Sequence, residues 1–388
     1  MTSSSWSRPW ALRCSACDTP APLEKASLCT ACGQPLFARY DAVPRGTALT
    51  DRWDMWRYAP FLPLASGEAP VSLGEGLTPL IESESLAAAV GVRRLWIKDE
   101  AQNPTASFKA RGMSAAVTRA RAEGYPGLVV PTAGNAGAAL AAYGAAAGMP
   151  VKVFAPRTTP RPILDTIEAM GADLVRIDGH IGDAGKLALA HASETGFFAI
   201  STLREPYRVE GMKTMGFEMA EQLGWRVPDV VVYPTGGGEG TVGIWKALQE
   251  LAAGGWLDGA DSPRIQPQYV VAQAAGCAPI ARAFAAGQEK AEPWVDPVTH
   301  AAGLRVPSPL GDRILLRILR ETAGVAGTAS EDAIREWTFR LASATGIDAA
   351  PEGGCALSVL RDAVQAGQIA SDAEVVVYNT GSGASYRA

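Results

Sequence analysis

Six short apolar runs constrain this chain more than anything else in it. GLVVPTAGN, VKVFAP, ADLVRID, DVVVYPTGGGEG, QYVVAQAAG and EVVVYNTGSG follow one another from residue 127 onward, most closing on a loop rich in Gly, Ser, Thr or Pro, with helical patterns between them. Strands whose valines are consecutive rather than alternating are covered on both faces, which means a parallel sheet joined by crossover helices. The intervening helices, AGAALAAYGAAAG and AGKLALAHASE, are rich in alanine, and small side chains let a helix lie close on a sheet. The expectation is an α/β fold, doubly wound, with ligands gathered beyond the carboxyl ends of the strands.

At 388 residues the chain suits two medium domains and a small appendage. Its 47% hydrophobic and 19% charged content describes a globular protein with a sizeable core. A formal net charge of −5 offers no basic field to gather nucleic acid or anionic lipid, so a small molecule is the expected partner. The opening MTSSSWSRPWALRC lacks a secretory pattern, and no apolar run reaches the roughly 18 residues that span a bilayer. A cytoplasmic protein, with no membrane and no nucleic-acid partner, is expected.

Four of the six cysteines form the pairs CSAC (Cys14, Cys17) and CTAC (Cys29, Cys32). In a reducing compartment such pairs read as thiolate ligands for a tetrahedral structural Zn²⁺ with no open position. An empty or partly oxidised ribbon is the competing reading. The stretch after it, residues 39–70, is rich in Trp, Pro and Arg and reads as a linker packing its aromatics on the next domain.

Three loops and one lysine carry the chemistry. In TGGGEGTVG the glycines Gly236, Gly237, Gly238 and Gly240, with Glu239 among them, precede a helix, a phosphate cradle by backbone N–H and helix N-terminus. Gly238, Gly240 and Gly243 also satisfy GxGxxG, but where a dinucleotide site needs an acidic residue about 20 positions on, GGWLDGADSPR reads as loop. Lys186 in GDAGKLA fails the P-loop pattern and reads as a solvated helix residue. PTAGNAG offers Thr132, Ala133, Gly134 and Asn135, able to hold a carboxylate by backbone amides or to cap a helix. NTGSG offers Thr380 and Ser382. Lys109, beside Phe108 in NPTASFKARG, is either half of a surface pair with Arg111 or a desolvated amine nucleophile.

In this order the amine, the glycine cradle, the Asn-bearing loop and the C-terminal hydroxyl resemble the tryptophan synthase β-like family, the fold type II pyridoxal phosphate enzymes. The resemblance implies pyridoxal 5'-phosphate as cofactor, with Lys109 forming its Schiff base, Asn135 at the ring hydroxyl, Gly236 to Gly240 at its phosphate and Thr380 at the pyridine nitrogen. Within that family GEGLTPL, KDEAQNPTASFKARG, EGMKTMGFEMAEQLG, AAGCAPI, AGLRVPSPLGDRILL and the cysteine module are similar to segments of threonine synthases. This implies conversion of O-phosphohomoserine and water to threonine and phosphate, with Thr105, Ser107, Arg111 and Lys213 as substrate contacts, usually in a homodimer. Domains are expected at 1–45 (ribbon), 46–111 with 202–388 (large) and 112–201 (small).

Three positions depart from threonine synthases: Ala110 where many carry Asp, Glu239 inside the phosphate loop, and the ending ASYRA. They leave open a relative that eliminates or replaces at another amino acid, as cysteate synthases or hydroxy-amino-acid deaminases do. A catalytically silent paralogue acting through its ribbon is the remaining alternative.

Overall fold

The computed structural model describes residues 9–24, 27–257 and 265–387. The first eight residues, part of the expected loop at 258–264 and the final Ala388 lie outside the described residues. Strands β1 (Trp10–Cys14), β2 (Pro20–Ala21) and β3 (Leu36–Tyr40) form a small antiparallel sheet ordered β2-β1-β3. After it come β4 (Leu80–Glu82) and β5 (Arg94–Asp99), then β6 (Leu128–Pro131), β7 (Val151–Pro156), β8 (Asp173–Ile177) and β9 (Phe198–Ala199), which build a parallel sheet ordered β8-β7-β6-β9. Finally β10 (Val230–Pro234), β11 (Gln268–Ala274), β12 (Val325–Ala329) and β13 (Glu374–Asn379) join β4 and β5 in a six-stranded sheet, β12-β11-β10-β13-β5-β4. Every pairing in that sheet is parallel except β4 with β5.

The chain is thus a mixed α/β protein. β10 and β13 are buried at every position, as consecutive valines require, and helices cover both faces of the sheet. Strand β12 has no sequence signal: in Val-Ala-Gly-Thr-Ala one large apolar side chain serves an edge strand. Residues 46–70 hold a 3-10 helix, Met55–Phe61, whose Trp56 is fully buried and donates its indole N–H to Ser114 Oγ at 2.9 Å. The boundary expected between 111 and 112 falls inside the helix Lys109–Ala122. That helix packs Ala110, Met113 and Ala116 into the core of the four-stranded sheet, together with ribbon residues Trp10 and Leu36. Among the described residues no helix is long and apolar enough to cross a membrane.

Candidate active site

The loop before Lys109 is held under strain. Thr105 (φ 59°) and Ala106 (φ 54°) are non-glycine residues in the left-handed region, a cost on the order of 1–3 kcal/mol each. The C-terminal loop fixes them there. Phe108 N–H donates to Thr380 O (3.1 Å), Ser382 N–H donates to Ala106 O (3.0 Å), and Ser107 bridges Gly381. Lys109 then opens the helix Lys109–Ala122, and its position relative to Thr380 is locked by backbone rather than by side chains.

The Lys109 amine lies 4.2 Å from the centre of the Phe108 ring, and among the described residues it makes no hydrogen bond or ion pair. Burial first, and then the Arg208 charge, lower its pKa to about 8, with Glu239 and Glu352 pushing the other way. A substantial fraction of this amine is therefore neutral near physiological pH, as a nucleophile or general base requires.

Lys109, Phe108, Asn135, the loop Gly236–Gly240 and Thr380 line one cavity holding about 580 Å³ of empty space. Strand ends deliver them: β6 leads to Asn135, which starts the helix Asn135–Ala147, β10 leads to the glycine loop, and β13 ends just before Thr380. Glycine is required at Gly238, whose φ is +87° and whose added Cβ would stand 2.4 Å from Leu315 Cδ1. At Gly236 a Cβ would meet the Gly303 carbonyl oxygen at 2.3 Å. The loop runs into the 15-residue helix Glu239–Ala253, whose N-terminal amides and dipole favour an anion. Glu239 does not oppose that anion from inside the loop. Its Oε1 accepts from Leu203 N–H (3.2 Å) and its Oε2 pairs with Arg208 at 2.7 Å.

A larger cavity of about 1540 Å³ adjoins the first and shares Lys109, Asn135, Thr202, Gly237 and Gly303 with it. Thr132, Ala133 and Gly134 line it, with five cationic residues, Lys109, Lys186, Arg204, Arg208 and Arg305, and no carboxylate among its lining residues. Two of them are paired from outside the lining, Arg208 with Glu239 (2.7 Å) and Lys186 with Asp183 (3.3 Å). Gly134 N–H is already bonded to Thr132 Oγ1 (3.1 Å), which also accepts from Gly137 N–H (3.1 Å). The Thr132 hydroxyl is thus a brace inside the loop rather than a group offered to a ligand.

The sequence profile of the pyridoxal-phosphate dependent enzymes matches residues 71–381. The chain is 35% identical over 330 residues to the threonine synthase of Methanosarcina acetivorans, covering 84% of this chain and 79% of that one. It is 32% identical over 331 residues to the threonine synthase of Methanocaldococcus jannaschii, with 85% and 80% covered. The chain belongs to the pyridoxal-phosphate dependent enzymes. Its fold is shared by maize serine racemase, with a TM-score of 0.67 and 22% identity over 79% of this chain and 88% of that one.

The residues present fit this family's cofactor. A lysine free of partners suits an aldehyde, the glycine loop and helix N-terminus suit a phosphate, and the Asn135 and Thr380 side chains suit the polar edge of a heterocycle.

Four residues expected at the substrate line neither cavity of this pyridoxal-phosphate dependent enzyme. Arg111 is fully buried and donates to Glu100 (2.6 and 2.8 Å) and Glu218 (2.5 and 2.8 Å). Lys213, also fully buried, pairs with Glu210 (2.6 Å) and Glu250 (2.8 Å). Both charges are consumed by carboxylates from other turns and helices, so neither can take a substrate. Ser107 is buried, and the Thr105 hydroxyl donates to Pro104 O at 2.6 Å. Conversely, Arg204, Arg208, Glu352 and Tyr386 line the cavities without any local motif to mark them. Lys186, read as solvated, is exposed and paired with Asp183 at 3.3 Å, yet stands at the rim of the larger cavity.

In the ribbon the four cysteine Sγ atoms lie within 4.8 Å of one another, and none is in a disulfide. Cys14 and Cys32 stand 3.4 Å apart, Cys17 and Cys29 3.7 Å. The edge of a sulfur tetrahedron around Zn²⁺ is about 3.8 Å for Zn–S bonds of about 2.3 Å. The cluster could hold one zinc ion with every position taken by sulfur, a structural and not a catalytic arrangement.

Proposed function

We propose that this enzyme is a threonine synthase, converting O-phosphohomoserine and water to threonine and phosphate. The observation that carries the reading is the placement of Lys109. It stands where a glycine-cradled cavity opens into a larger one lined by cations and no carboxylate, a shape suited to a substrate with both a carboxylate and a phosphate. The threonine synthase relatives support the same assignment.

Bound pyridoxal phosphate supplies an electron sink for the pair released when Cα–H is broken. Gly236 to Gly240 and the helix N-terminus behind them would hold its phosphate, and Asn135 and Thr380 would meet the polar groups of its ring, with Phe108 packed near Lys109. Lys109 would anchor it, and the Lys109 amine is the group placed to take and return substrate protons at Nζ. Its pKa of about 8 suits that exchange. Backbone amides at Ala133 and Asn135, at the start of their helix, take the substrate carboxylate, while the Thr132 brace and Gly134 keep that loop in shape. Arg204, Arg208 and Arg305 supply the field for the leaving phosphate, with Glu239 holding Arg208 in place. The ribbon takes a structural zinc at Cys14, Cys17, Cys29 and Cys32. The working form is a cytoplasmic homodimer, for which light scattering at twice the 40.5 kDa chain mass is the check.

The test is to incubate the purified protein with pyridoxal phosphate and O-phosphohomoserine, following phosphate and amino acid together. Equal amounts of threonine and phosphate are expected. Pyruvate or 2-oxobutyrate formed from a hydroxy amino acid, with O-phosphohomoserine untouched, would replace this reading with deamination.

A further inference from the structure

Tyr233 is the fourth residue of β10 and lines the cavity that holds Lys109 and the glycine loop. Alternate residues of a strand face the same side of its sheet, and Tyr233 shares a core cluster with Val231 of its own strand and Val242 of the helix Glu239–Ala253. Its ring is packed from two sides, edge-on to Phe108 with centroids 5.9 Å apart and tilted against Tyr378 at 5.3 Å. These contacts fix the direction of the phenol. Its tip ends at the first turn of the helix Glu239–Ala253, where a Cβ added to Gly240 would lie 2.2 Å from both Cζ and the hydroxyl oxygen. The space that a side chain at 240 would fill is therefore taken by the Tyr233 hydroxyl group.

Tyr233 is only 2% exposed, yet its hydroxyl has no hydrogen-bond partner among the described residues. Other tyrosines of the same cluster spend theirs: Tyr378 donates to Met215 O (3.1 Å), Tyr269 to Gln266 (2.9 Å) and Tyr58 to Glu221 (2.5 Å). A buried hydroxyl with nothing to bond costs free energy unless a ligand completes it. Burial first, and then the charges of Glu100, Tyr378 and Glu239, hold its pKa well above the usual tyrosine value, so the proton stays on and the group is a donor. A donor standing at a helix N-terminus calls for the same guest as the helix itself, an anion. The family's cofactor carries one, the phosphate for which the glycine loop is shaped.

We propose that Tyr233 is a cofactor-contacting residue whose hydroxyl donates a hydrogen bond to the phosphate of bound pyridoxal phosphate, adding a side-chain donor from β10 to the backbone amides of Gly236 to Gly240. The inference rests on the cofactor assignment and not on the choice of substrate. Its consequence is selectivity: the unspent hydroxyl is satisfied by pyridoxal phosphate and left unsatisfied by pyridoxal, which has the same ring and aldehyde but no phosphate.

The experiment titrates the full cofactor-free chain with pyridoxal phosphate and, separately, with pyridoxal, and records the ³¹P resonance of the loaded chain. Tyr233→Phe removes one oxygen and keeps the ring that packs on Phe108 and Tyr378. In this variant the dissociation constant for pyridoxal phosphate should rise about tenfold, equivalent to about 1.4 kcal/mol, while that for pyridoxal changes less than about twofold. The ³¹P resonance should move from the parent's position. The melting temperature of the cofactor-free chain should hold or rise, because an unpaired buried hydroxyl is gone. The ratio of the two dissociation constants is taken within each chain, so a general loss of stability cancels from it. A ratio equal to the parent's, through equal weakening of both ligands or of neither, overturns the proposal and leaves Tyr233 as a prop for Phe108. No cofactor band in the parent chain with either ligand would overturn this inference together with the cofactor assignment.

Discussion

Lys213 belongs to the helix Arg208–Gln222 and pairs with Glu210 of the same helix at 2.6 Å and with Glu250 of the helix Glu239–Ala253 at 2.8 Å. Lys109 starts a neighbouring helix, and among the described residues no carboxylate forms a contact with it. Burial lowers the pKa of both. For Lys213 the charges of Glu210 and Glu250 push back, and its amine donates to Glu250 and to Phe61 O (2.6 Å). For Lys109 the largest influence after burial is another cation, Arg208. The difference teaches that burial makes an amine costly, but partners decide whether it is spent on structure or left for chemistry.

The largest effect should come from exchanging the two roles. Lys109→Ala should abolish the cofactor's absorbance band and lower turnover by at least about 10³-fold, read by spectroscopy and phosphate release. Retained turnover without added amine would break the comparison. Lys213→Ala should keep the band but destabilise the fold by about 3–5 kcal/mol, read by urea unfolding, because Glu210 and Glu250 lose a buried counter-charge. A loss of substrate affinity at unchanged stability would instead return Lys213 to the site.

Gly238→Ala tests the cradle beside Lys109. A Cβ at φ +87° facing Leu315 should cost about 1–3 kcal/mol and weaken cofactor binding about tenfold, which a fluorescence titration would read. The pH dependence sharpens the contrast further. The Lys109 pKa is depressed in the folded chain, so between about 8 and the unfolded value the unfolded state binds more protons. Stability of the cofactor-free chain should therefore rise with pH across that window, and Lys109→Met should flatten the rise. The rate of cofactor attachment should reach half its maximum near pH 8. The smallest effect on chemistry belongs to the ribbon. Cys14→Ser should lower bound zinc, measured by metal analysis, and lower the melting temperature, while changing turnover by less than about threefold, because no cysteine lines either cavity.

Much of the fold is legible in the sequence because its signals are local. Consecutive valines in β10 and β13 announce two-sided burial wherever the rest of the chain goes. Asn135 and the loop Gly236–Gly240 stand just beyond such runs, where loops of an α/β sheet collect, and Lys109 opens a helix ten residues past β5. β12 is not legible, because an edge strand needs few large side chains. Arg111 and Lys213 mislead for a different reason. Glu100 and Glu218, which take Arg111, and Glu250, which joins the local Glu210 at Lys213, come from other turns and other helices that the local spelling does not mark.

Periodicity, spacing and residue chemistry act over a few neighbouring positions, so the parallel α/β plan, the cysteine cluster and Lys109 beside Phe108 are written in the chain itself. Only the tertiary structure decided which charges are neutralised and which face a cavity. Arg208 meets Glu239 across 31 positions, and Tyr386 returns across 34 to fix Glu352. Such partners are chosen by packing in three dimensions, where a few ångströms separate a buried ion pair from a group left free for a ligand.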